Sequence, residues 1–329
     1  MIAFGLLGGF VWWNLNSRSV SNDETPVSFI VTKGKSASQV GQLLYQEGLI
    51  KNPLAFKIYV QMTGKADKIQ AGEFELKKSM TISEIVDSFG KGPKELWVTI
   101  PEGLRNEEVV EKIIAGLEMK GEKANSFRND FLMKAKGEEG YLFPNTYLFP
   151  RDVTAEAAVS RLTGLFESQT AKFDNEFTNG KTKEGLTIEQ IVTLASIIER
   201  EAKDEDKLER PIIAGIYFNR METGMALQAD ASVQYAVANS RCKTQSVKCE
   251  SWWPILTRDD LEIESPYNIY KYNGLPPAPI ANPGLSSIEA AVGPEDSDYF
   301  YYIHDPQGKI HYAKSLDEHN ENARKYLGK

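Results

Sequence analysis

The chain has 329 residues, of which 41% are hydrophobic and 26% are charged, a length that allows two or three domains with separate cores. Its formal net charge of -8 argues against nucleic acid as the main partner, because phosphate binding needs a basic surface. Three histidines without HExxH spacing and two cysteines without CxxC spacing predict neither a metal site nor a cofactor, and the absence of GxSxG argues against a serine hydrolase.

The chain begins with an apolar run, residues 2–15, that contains Trp12 and Trp13. A membrane-spanning helix needs about 20 apolar residues, so this run is short, and it lacks the basic residues that precede the apolar core of a signal peptide. Tryptophans are enriched where a span leaves the bilayer. We therefore predict a single-pass anchor over residues 1–15 whose beginning is missing from this sequence, with a cleaved signal peptide as the alternative. A polar linker over residues 16–26 follows.

From residue 27 the pattern alternates between strands and helices. The predicted elements are strands over residues 27–32, 72–76 and 96–100, and helices that begin near Ser36, Pro53, Thr81 and Glu107. The segments VTKGKSASQV and VTIPEGLRNEEV resemble each other, which indicates a small βα unit used twice. We predict one small domain over residues 27–92. A second small α/β unit and a junction follow over residues 93–150.

The junction ends in the segment EGYLFPNTY, residues 139–147, which is too apolar for a free loop. We expect it to dock on the C-terminal half of the chain. Farther on, Cys242 and Cys249 lie in a polar loop. Outside the cytoplasmic membrane these two cysteines are expected to form a disulfide, which would stabilise the fold by about 2–3 kcal/mol.

The strongest chemical signal lies in residues 194–202, LASIIEREA. Thr187 and Gln190 predict a capping box at the start of a helix, and the apolar residues that follow line two sides of it. A helix that is apolar on two sides is buried between layers. Glu199 falls within one apolar stripe and Glu201 continues the other, so neither carboxylate has an easy route to water.

Such burial gives the two glutamates a chemical meaning. It raises the pKa of a carboxyl group, and a glutamic acid lifted from about 4.3 towards 6 can hold a proton near neutral pH and donate it to a leaving group. The structural alternative is that Glu199 and Glu201 form ion pairs with Arg200, Lys203 or Arg210, or extend to solvent at the end of the helix. The positions alone do not choose between the two glutamates.

The C-terminal part contains a proline-rich segment, GLPPAPIANPG, over residues 274–284. It follows SPYNIY and leads into a helix with a predicted Ser286/Glu289 capping box, so we interpret it as a stiff loop that shapes one wall of a cleft. A hairpin around residues 305–308 and a short helix from Asp317 close the chain.

Six motifs occur in one order: IIERE, FNR, LQAD, SPYNIY, GLPPAPIANPG and SLDEHN. In that order they resemble the endolytic murein transglycosylases, the membrane-anchored YceG-like family, over nearly the whole chain. The departures are Ala231, where a proline is expected, and the cysteine loop. The resemblance implies an α+β fold with an N-terminal anchor, a LysM-like domain over residues 27–92, and a mostly helical catalytic domain with a few strands over residues 151–329.

The resemblance also implies a reaction: cleavage between N-acetylmuramic acid and N-acetylglucosamine within nascent peptidoglycan strands, leaving a 1,6-anhydro end. The family's essential glutamate falls on Glu201, and Glu199 takes a supporting, hydrogen-bonding role. The expected partners are glycan strands, the inner membrane and peptidoglycan synthases of the penicillin-binding class, with the catalytic part outside the cytoplasm. The neutral or acidic side chains proposed to bind substrate are Gln228, Asp230, Tyr267 and Asn268.

Two other functions fit parts of this pattern. One is a non-catalytic glycan-binding scaffold in which both glutamates are structural. The other is a hydrolytic muramidase, which needs a second carboxylate about 5–10 Å from the acid, and Asp230 is the candidate. The products separate these functions from the first: a transglycosylase leaves anhydro ends, a muramidase leaves reducing ends, and a scaffold does not cleave.

Overall fold

The computed structural model describes residues 2–32, 34–173, 185–203, 208–244 and 251–328. The protein is α+β, as predicted, and the chain divides into two compact units. The N-terminal unit consists of Met1–Thr99, Ala115–Met119 and Thr146–Val153. The C-terminal unit consists of Ile100–Ile114, Lys120–Asn145 and Thr154–Lys329.

The N-terminal unit is built on a four-stranded sheet of order β1-β2-β3-β4. Its strands are β1 (Pro26–Val31), β2 (Gly72–Lys77), β3 (Glu95–Ile100) and β4 (Asn145–Pro150). Its helices are α1 (Ile2–Asn16), α2 (Ala37–Gln46), α3 (Pro53–Thr63) and α4 (Ile82–Lys91). Both β1/β2 and β2/β3 are antiparallel, so strands from the two predicted small units lie in one sheet.

Local signals placed these helices correctly. Ser36 and Thr81 are the predicted N-caps of α2 and α4, and each accepts from the backbone N–H three residues later. Thr81 forms the predicted capping box with Glu84, and Ser36 forms one with Gln39 that was not predicted. The core of the unit is centred on Phe89, whose ring meets Phe74 edge-on at 4.7 Å and Phe56 at 6.3 Å. Each fully buried phenylalanine contributes roughly 1.5–3 kcal/mol, so these helices are held by packing as well as by their caps.

Helix α1 has 15 residues, and all of them except Asn16 lie within the predicted anchor. Trp12 and Trp13 pack partly against the core of the N-terminal unit, and the Trp13 ring stacks on Tyr59 at 6.1 Å. Among the described residues, no helix is both long enough and apolar enough to cross a membrane.

The C-terminal unit is mostly helical. The α-helices of its described residues are α5 (Asn106–Gly116), α6 (Gly121–Lys134), α7 (Ala155–Thr170), α8 (Ile188–Glu201), α9 (Glu209–Glu222), α10 (Asp230–Thr244), α11 (Leu285–Val292) and α12 (Leu316–Asn322). The predicted hairpin consists of β5 (Tyr301–His304) and β6 (Ile310–Ala313). Helices α6 and α7 were not predicted. In α6 only Ala124, Phe127 and Phe131 are buried, a stripe too narrow to stand out among polar neighbours.

Helix α8 lies at the centre of this unit. The Thr187/Gln190 capping box is present, and every residue from 191 to 198 is buried. The helix packs against α9, α10 and α11. The expectation of a helix buried on two sides is confirmed, and Glu199 and Glu201 lie in the last turn, just after this fully buried stretch.

Two expectations about connecting segments need correction. Helix α11 has no Ser286/Glu289 capping box: its N-cap is Gly284, and Glu289 pairs instead with Lys172. The segment over residues 139–147 does not dock on one unit as a whole. Its first part packs into the core of the C-terminal unit through Tyr141 and Phe143, whereas its last residues belong to β4.

Cys242 is bonded in a disulfide. Its predicted partner, Cys249, lies outside the described residues.

Candidate active site

The two glutamates at the end of α8 have different surroundings. Glu199 is buried, with 6% of its side chain exposed, and lies 3.3 Å from Arg210 Nη2. Its Oε2 accepts from the backbone N–H of Gly284 at 3.0 Å and from the Ser287 hydroxyl at 2.8 Å. Arg210 Nε in turn donates to Ser287 at 3.0 Å. Glu199 therefore supplies the acceptor that the uncapped N-terminus of α11 needs.

Glu201 is the last residue of α8 and keeps partial exposure to solvent, as the alternative of a side chain that reaches out at the helix end had allowed. Its Oε2 accepts from the Tyr302 hydroxyl at 2.8 Å. The hydroxyls of Tyr302 and Tyr217 lie 3.0 Å apart. The backbone N–H of Ala231, in the first turn of α10, also donates to the Glu201 carboxylate. Elements from three parts of the unit thus converge on one carboxyl group.

The pKa of Glu201 is raised above its ordinary value, chiefly because its position deep in the unit removes solvation from the charged form. The negative charge of Asp230 raises this pKa further. The hydrogen bonds from Tyr302 and Ala231 and the proximity of His304 lower it, but they do not outweigh burial. Glu201 is therefore a carboxyl group that holds its proton more tightly than a free glutamic acid.

One buried amide, that of Asn282, holds the proline-rich loop against two other loops of the unit. Asn282 Oδ1 accepts from the N–H groups of Gly140 at 3.0 Å and Leu142 at 2.8 Å. Its Nδ2 donates to the Leu104 carbonyl at 2.9 Å and to Asn106 Oδ1 at 3.0 Å. Asn282 joins three loops of the C-terminal unit, which confirms that this stretch is an internal loop of a domain.

Gly140 is required at this junction by both conformation and space. Its φ of +94° lies in the region that favours glycine, and a Cβ there would lie 2.7 Å from Pro279 and 2.8 Å from Val192. The Ile280 N–H donates to Ser196 Oγ on α8 at 3.0 Å. The loop is therefore fixed to α8 one turn before Glu199.

Of the predicted substrate-binding residues, Gln228 and Asp230 are exposed. Gln228 has a φ of +55° and donates its N–H to the Ile269 carbonyl at 3.1 Å. Asp230 accepts from the Tyr270 hydroxyl at 2.7 Å and is near enough to Glu201 to act on its pKa. Both side chains are therefore available on the surface of the C-terminal unit, and Asp230 belongs to the surroundings of Glu201.

Tyr267 and Asn268 are less accessible. Tyr267 is partly buried, and its ring lies 4.8 Å from that of Tyr235. Asn268 is fully buried, and its Nδ2 donates to two carbonyls of its own loop, at Leu261 and Ile263. Its Oδ1 accepts from the Tyr270 N–H, so the whole amide is used to shape the loop that carries Tyr270.

A cluster of arginine and tryptophan side chains lies in the same unit and was not predicted. The Arg105 guanidinium is completely buried between the rings of Tyr235, at 4.1 Å, and Trp252, at 4.5 Å. The Arg200 guanidinium lies 3.8 Å from the Trp253 ring, and Trp253 Nε1 donates to Glu108 at 2.9 Å. These contacts fix the segment after residue 250 against α5, α8 and α10.

Sequence reasoning also missed Tyr302, which donates to Glu201, and Tyr217, whose hydroxyl lies 3.0 Å from that of Tyr302. Tyr302 lies 101 residues after Glu201, in a short hairpin strand whose residues are all partly buried. No periodicity distinguishes it from Tyr301 beside it. The signal lies only in the three-dimensional contact. No cluster of three or more histidine, cysteine, aspartate or glutamate side chains suited to a metal ion occurs in the described part of the chain.

Comparison with known proteins gives a consistent result. Residues 29–325 match the YceG-like family. The endolytic murein transglycosylase of Bacillus subtilis is 31% identical over 344 residues, covering 97% of this chain and 90% of that protein. The endolytic murein transglycosylase of Streptococcus pneumoniae D39 is 28% identical, covering 93% of this chain but 59% of that longer protein.

Among solved structures, a YceG-like protein of Listeria monocytogenes superimposes with a TM-score of 0.57 at 31% identity, covering 90% of this chain and 99% of that one. The extent of these matches confirms the resemblance carried by the six ordered motifs. The chain belongs to the YceG-like family.

Proposed function

We propose that this protein is an endolytic lytic transglycosylase that cleaves the MurNAc–GlcNAc bond in nascent peptidoglycan strands and leaves a 1,6-anhydroMurNAc end. Two relatives that match almost the whole chain are named endolytic murein transglycosylases. The observation that carries the proposal is the Glu201 carboxyl group, which combines a raised pKa with partial access to solvent. That combination suits a group that must hold a proton and reach a substrate.

Glu201 acts first as an acid and then as a base. Its proton passes to the glycosidic oxygen as the bond from that oxygen to C1 of N-acetylmuramic acid breaks. The 6-hydroxyl of the same sugar then bonds to C1, and its proton returns to the Glu201 carboxylate. The atoms balance without water, so a single carboxyl group suffices where ordinary glycosidases need two.

The other site residues support this chemistry in different ways. Glu199 holds the start of α11 and the proline-rich loop in place through Arg210, Gly284 and Ser287. Gln228 and Tyr267 offer neutral hydrogen-bonding groups suited to the acetamido and hydroxyl groups of the sugars. Asn268 acts through the loop that presents Tyr270.

The test is product analysis on purified sacculi. Mass spectrometry of the released muropeptides should show 1,6-anhydroMurNAc ends with the wild-type protein and none with Glu201→Gln. Cleavage inside the strand should leave long products, whereas an exo-acting enzyme would release disaccharides from the ends. Binding to sacculi without any cleavage would instead favour a glycan-binding scaffold.

One observation favours a second candidate, a hydrolytic muramidase. The Asp230 carboxylate is near enough to Glu201 for its charge to raise the Glu201 pKa, and a second carboxylate is what a hydrolase needs to activate water. Reducing ends in the products, lost together with activity in Asp230→Asn, would establish hydrolysis. Anhydro ends that persist in Asp230→Asn would leave Asp230 the role of an electrostatic neighbour.

The disulfide at Cys242 supports a location outside the cytoplasm, because disulfides persist in oxidising compartments. The reaction requires the same location, since its substrate is the cell wall. We further propose single-pass anchoring in the cytoplasmic membrane through the apolar run of α1, which would keep the enzyme beside the peptidoglycan synthases that make nascent strands. The anchor and the synthase partners stay predictions from the sequence.

We propose that residues 27–92 form a LysM-like glycan-binding domain. The core cluster of the N-terminal unit runs from Phe29 to Phe89 and therefore lies within this range. A fragment of residues 27–92 should fold alone, give dispersed NMR signals and sediment with insoluble peptidoglycan. A folded fragment that stays in solution would make this part a spacer or a partner-docking domain.

A further inference from the structure

We propose that Tyr302 and Tyr217 are positioning residues that confine the transferable proton of Glu201 to its Oε1 oxygen. The inference rests on the proposed function, in which Glu201 is the acid. It deepens that function by assigning different roles to the two oxygens of one carboxyl group. Oε2 stays a permanent acceptor, and Oε1 gives and recovers the proton.

The direction of the hydrogen bonds carries the argument. Tyr302 donates to Glu201 Oε2 at 2.8 Å, and its oxygen lies 3.0 Å from that of Tyr217. Each phenol has one proton. Because the proton of Tyr302 points to Glu201, the proton of Tyr217 must point to Tyr302. The three groups form a one-way chain that ends on the carboxyl group.

The reverse chain would require Glu201 to carry its proton on Oε2 and donate it to Tyr302. Tyr302 would then donate to Tyr217, and the Tyr217 proton would need an acceptor of its own. Tyr217 is completely buried, and among the residues that the structure describes Tyr302 is its only hydrogen-bond partner. Reversal would leave a buried hydroxyl proton unsatisfied, which is costly. The forward direction is therefore kept in both protonation states of Glu201.

The tyrosines also close this side of the site to proton exchange. Burial raises the pKa of both phenols well above the ordinary value of 10, so neither ionises near neutral pH. A hydroxyl chain can also pass a proton without ionising, but Tyr217 has no further hydrogen-bond partner among the described residues, so a proton that entered at Oε2 has no acceptor deeper in the protein. It can leave only through Oε1, which is where a single group that first donates and then accepts a proton must meet its substrate.

The other charged or titratable groups around Glu201 do not compete for this role. They are His304 on β5, Asp230 on α10, Tyr270 in the loop before residue 274, and Arg200 beside Glu201 on α8. Asp230 already accepts from Tyr270 at 2.7 Å, and His304 contacts Glu209 at 3.0 Å. The backbone N–H of Ala231 donates to the carboxylate, but an amide proton is not transferred.

Tyr302→Phe tests the proposal, because it removes the hydroxyl and keeps the ring. Oε2 is then free to carry the proton, so kcat should fall by about 10-fold to 100-fold, the effect of one hydrogen bond to a charged group, with KM little changed. Removing a donor that stabilised the carboxylate should also move the alkaline limb of kcat to higher pH. Tyr217→Phe should give the same changes at smaller size. Tyr301→Phe, on the same strand, is the matched control and should change neither.

A second measurement does not depend on activity. The Glu201 carboxyl can be titrated by ¹³C NMR in the full chain, with its signal assigned by its absence in Glu201→Gln. The Glu201 pKa should rise in Tyr302→Phe, rise less in Tyr217→Phe and stay unchanged in Tyr301→Phe. An unchanged titration in both of the first two variants would overturn the proposal. A shifted pKa together with a fully active Glu201→Gln would instead retain the proton placement and refute the proposed function.

Discussion

Glu199 and Glu201 lie in the same helical turn, but the groups around their carboxylates differ in charge and in hydrogen bonding. Glu199 faces a guanidinium, a hydroxyl and a backbone N–H, all of which favour its charge. Glu201 faces a phenol, a backbone N–H and the field of a second carboxylate, and its pKa is raised, chiefly by burial. The comparison shows that a buried carboxylate paired with a guanidinium holds elements together, whereas one whose hydrogen bonds do not outweigh its burial holds a proton more tightly.

Helix geometry explains why two neighbours differ so much. Positions two residues apart on an α-helix are about 200° apart around the axis, so their side chains leave on opposite sides. One side of the last turn of α8 meets α11 and the proline-rich loop, and the other meets β5 and the start of α10. The E-x-E spacing thus allows one helix end to serve a structural site and a proposed chemical site at once.

The largest expected effect that would sharpen this comparison is on activity. Glu201→Gln keeps the size of the side chain and its acceptor oxygen but removes the transferable proton. General acid–base catalysis contributes a factor of about 10²–10⁴ to the rate, and this variant loses both proton transfers. The rate of anhydro-muropeptide release should therefore fall by a factor at the upper end of that range. The melting temperature should not fall.

Glu199→Gln is the matched control, two residues away on the same helix. Its folded fraction, assayed well below its melting temperature, should retain activity within about tenfold of wild type, because Glu199 takes no part in the proton transfer. Loss of a proton-transferring group would lower the rate by at least about 10²-fold. A well-folded but inactive Glu199→Gln would exchange the two roles. A normally melting Glu201→Gln that still cleaves within tenfold of wild type would refute the assignment of the acid.

The next largest effect is on the free energy of unfolding, and here Glu199→Gln should have the larger effect of the two variants. Glu199→Gln removes the carboxylate charge that lies 3.3 Å from the buried Arg210 guanidinium and turns an amide N–H₂ towards donors. Breaking a buried ion pair by removing one partner costs about 3–5 kcal/mol. The variant should therefore unfold at a clearly lower urea concentration than wild type, with an unchanged slope. Ser287→Ala removes one donor from the same cluster, and its stability to urea should lie between those of wild type and Glu199→Gln. A Glu199→Gln protein as stable as wild type would show that this ion pair does not hold α11.

These two sites also mark how far the sequence could predict the structure. Capping boxes and apolar periodicity are local, so Thr187, Thr81 and the buried face of α8 were predicted correctly. The sharing of one sheet by β1 to β4 depends on pairings over long separations, and the periodicity within each strand contains no information about them. Helix α6 was missed because its buried stripe is narrow and its surface is highly polar.

The partners of the two glutamates were out of reach for the same reason. Arg210 was considered as an ion-pair partner because it follows α8 closely. Tyr302, Gly284 and Ser287 lie more than eighty residues away, and only the folded chain places them beside α8. The motifs contained Asn282 and Gly140, but residue identity alone did not show that one amide receives both N–H groups of the 140–142 turn. The sequence could therefore propose the acid but not how its proton is held.

The smallest expected effect concerns the stability of Glu201→Gln as a function of pH. The pKa of Glu201 is higher in the folded state than in the unfolded chain, so the folded state binds the proton more tightly. Wild type therefore has its full stability below the unfolded value, near 4.3, and loses part of it as pH rises through the folded pKa. A glutamine has no proton to lose and escapes this penalty. The melting temperature of Glu201→Gln should equal that of wild type near pH 4 and should be higher than that of wild type at pH 8.

The sign of this difference distinguishes the two sites, since Glu199→Gln should be less stable than wild type at pH 8. Thermal unfolding of the three proteins from pH 4 to pH 8, in buffers of equal ionic strength, gives the comparison. Tyr302→Phe should enlarge the pH-dependent loss of stability, because it removes a donor that favours the Glu201 carboxylate in the folded state. A Glu201→Gln protein that is less stable than wild type at pH 8 would mean that the charge of Glu201 is compensated after all, and the contrast between the two carboxylates would be lost.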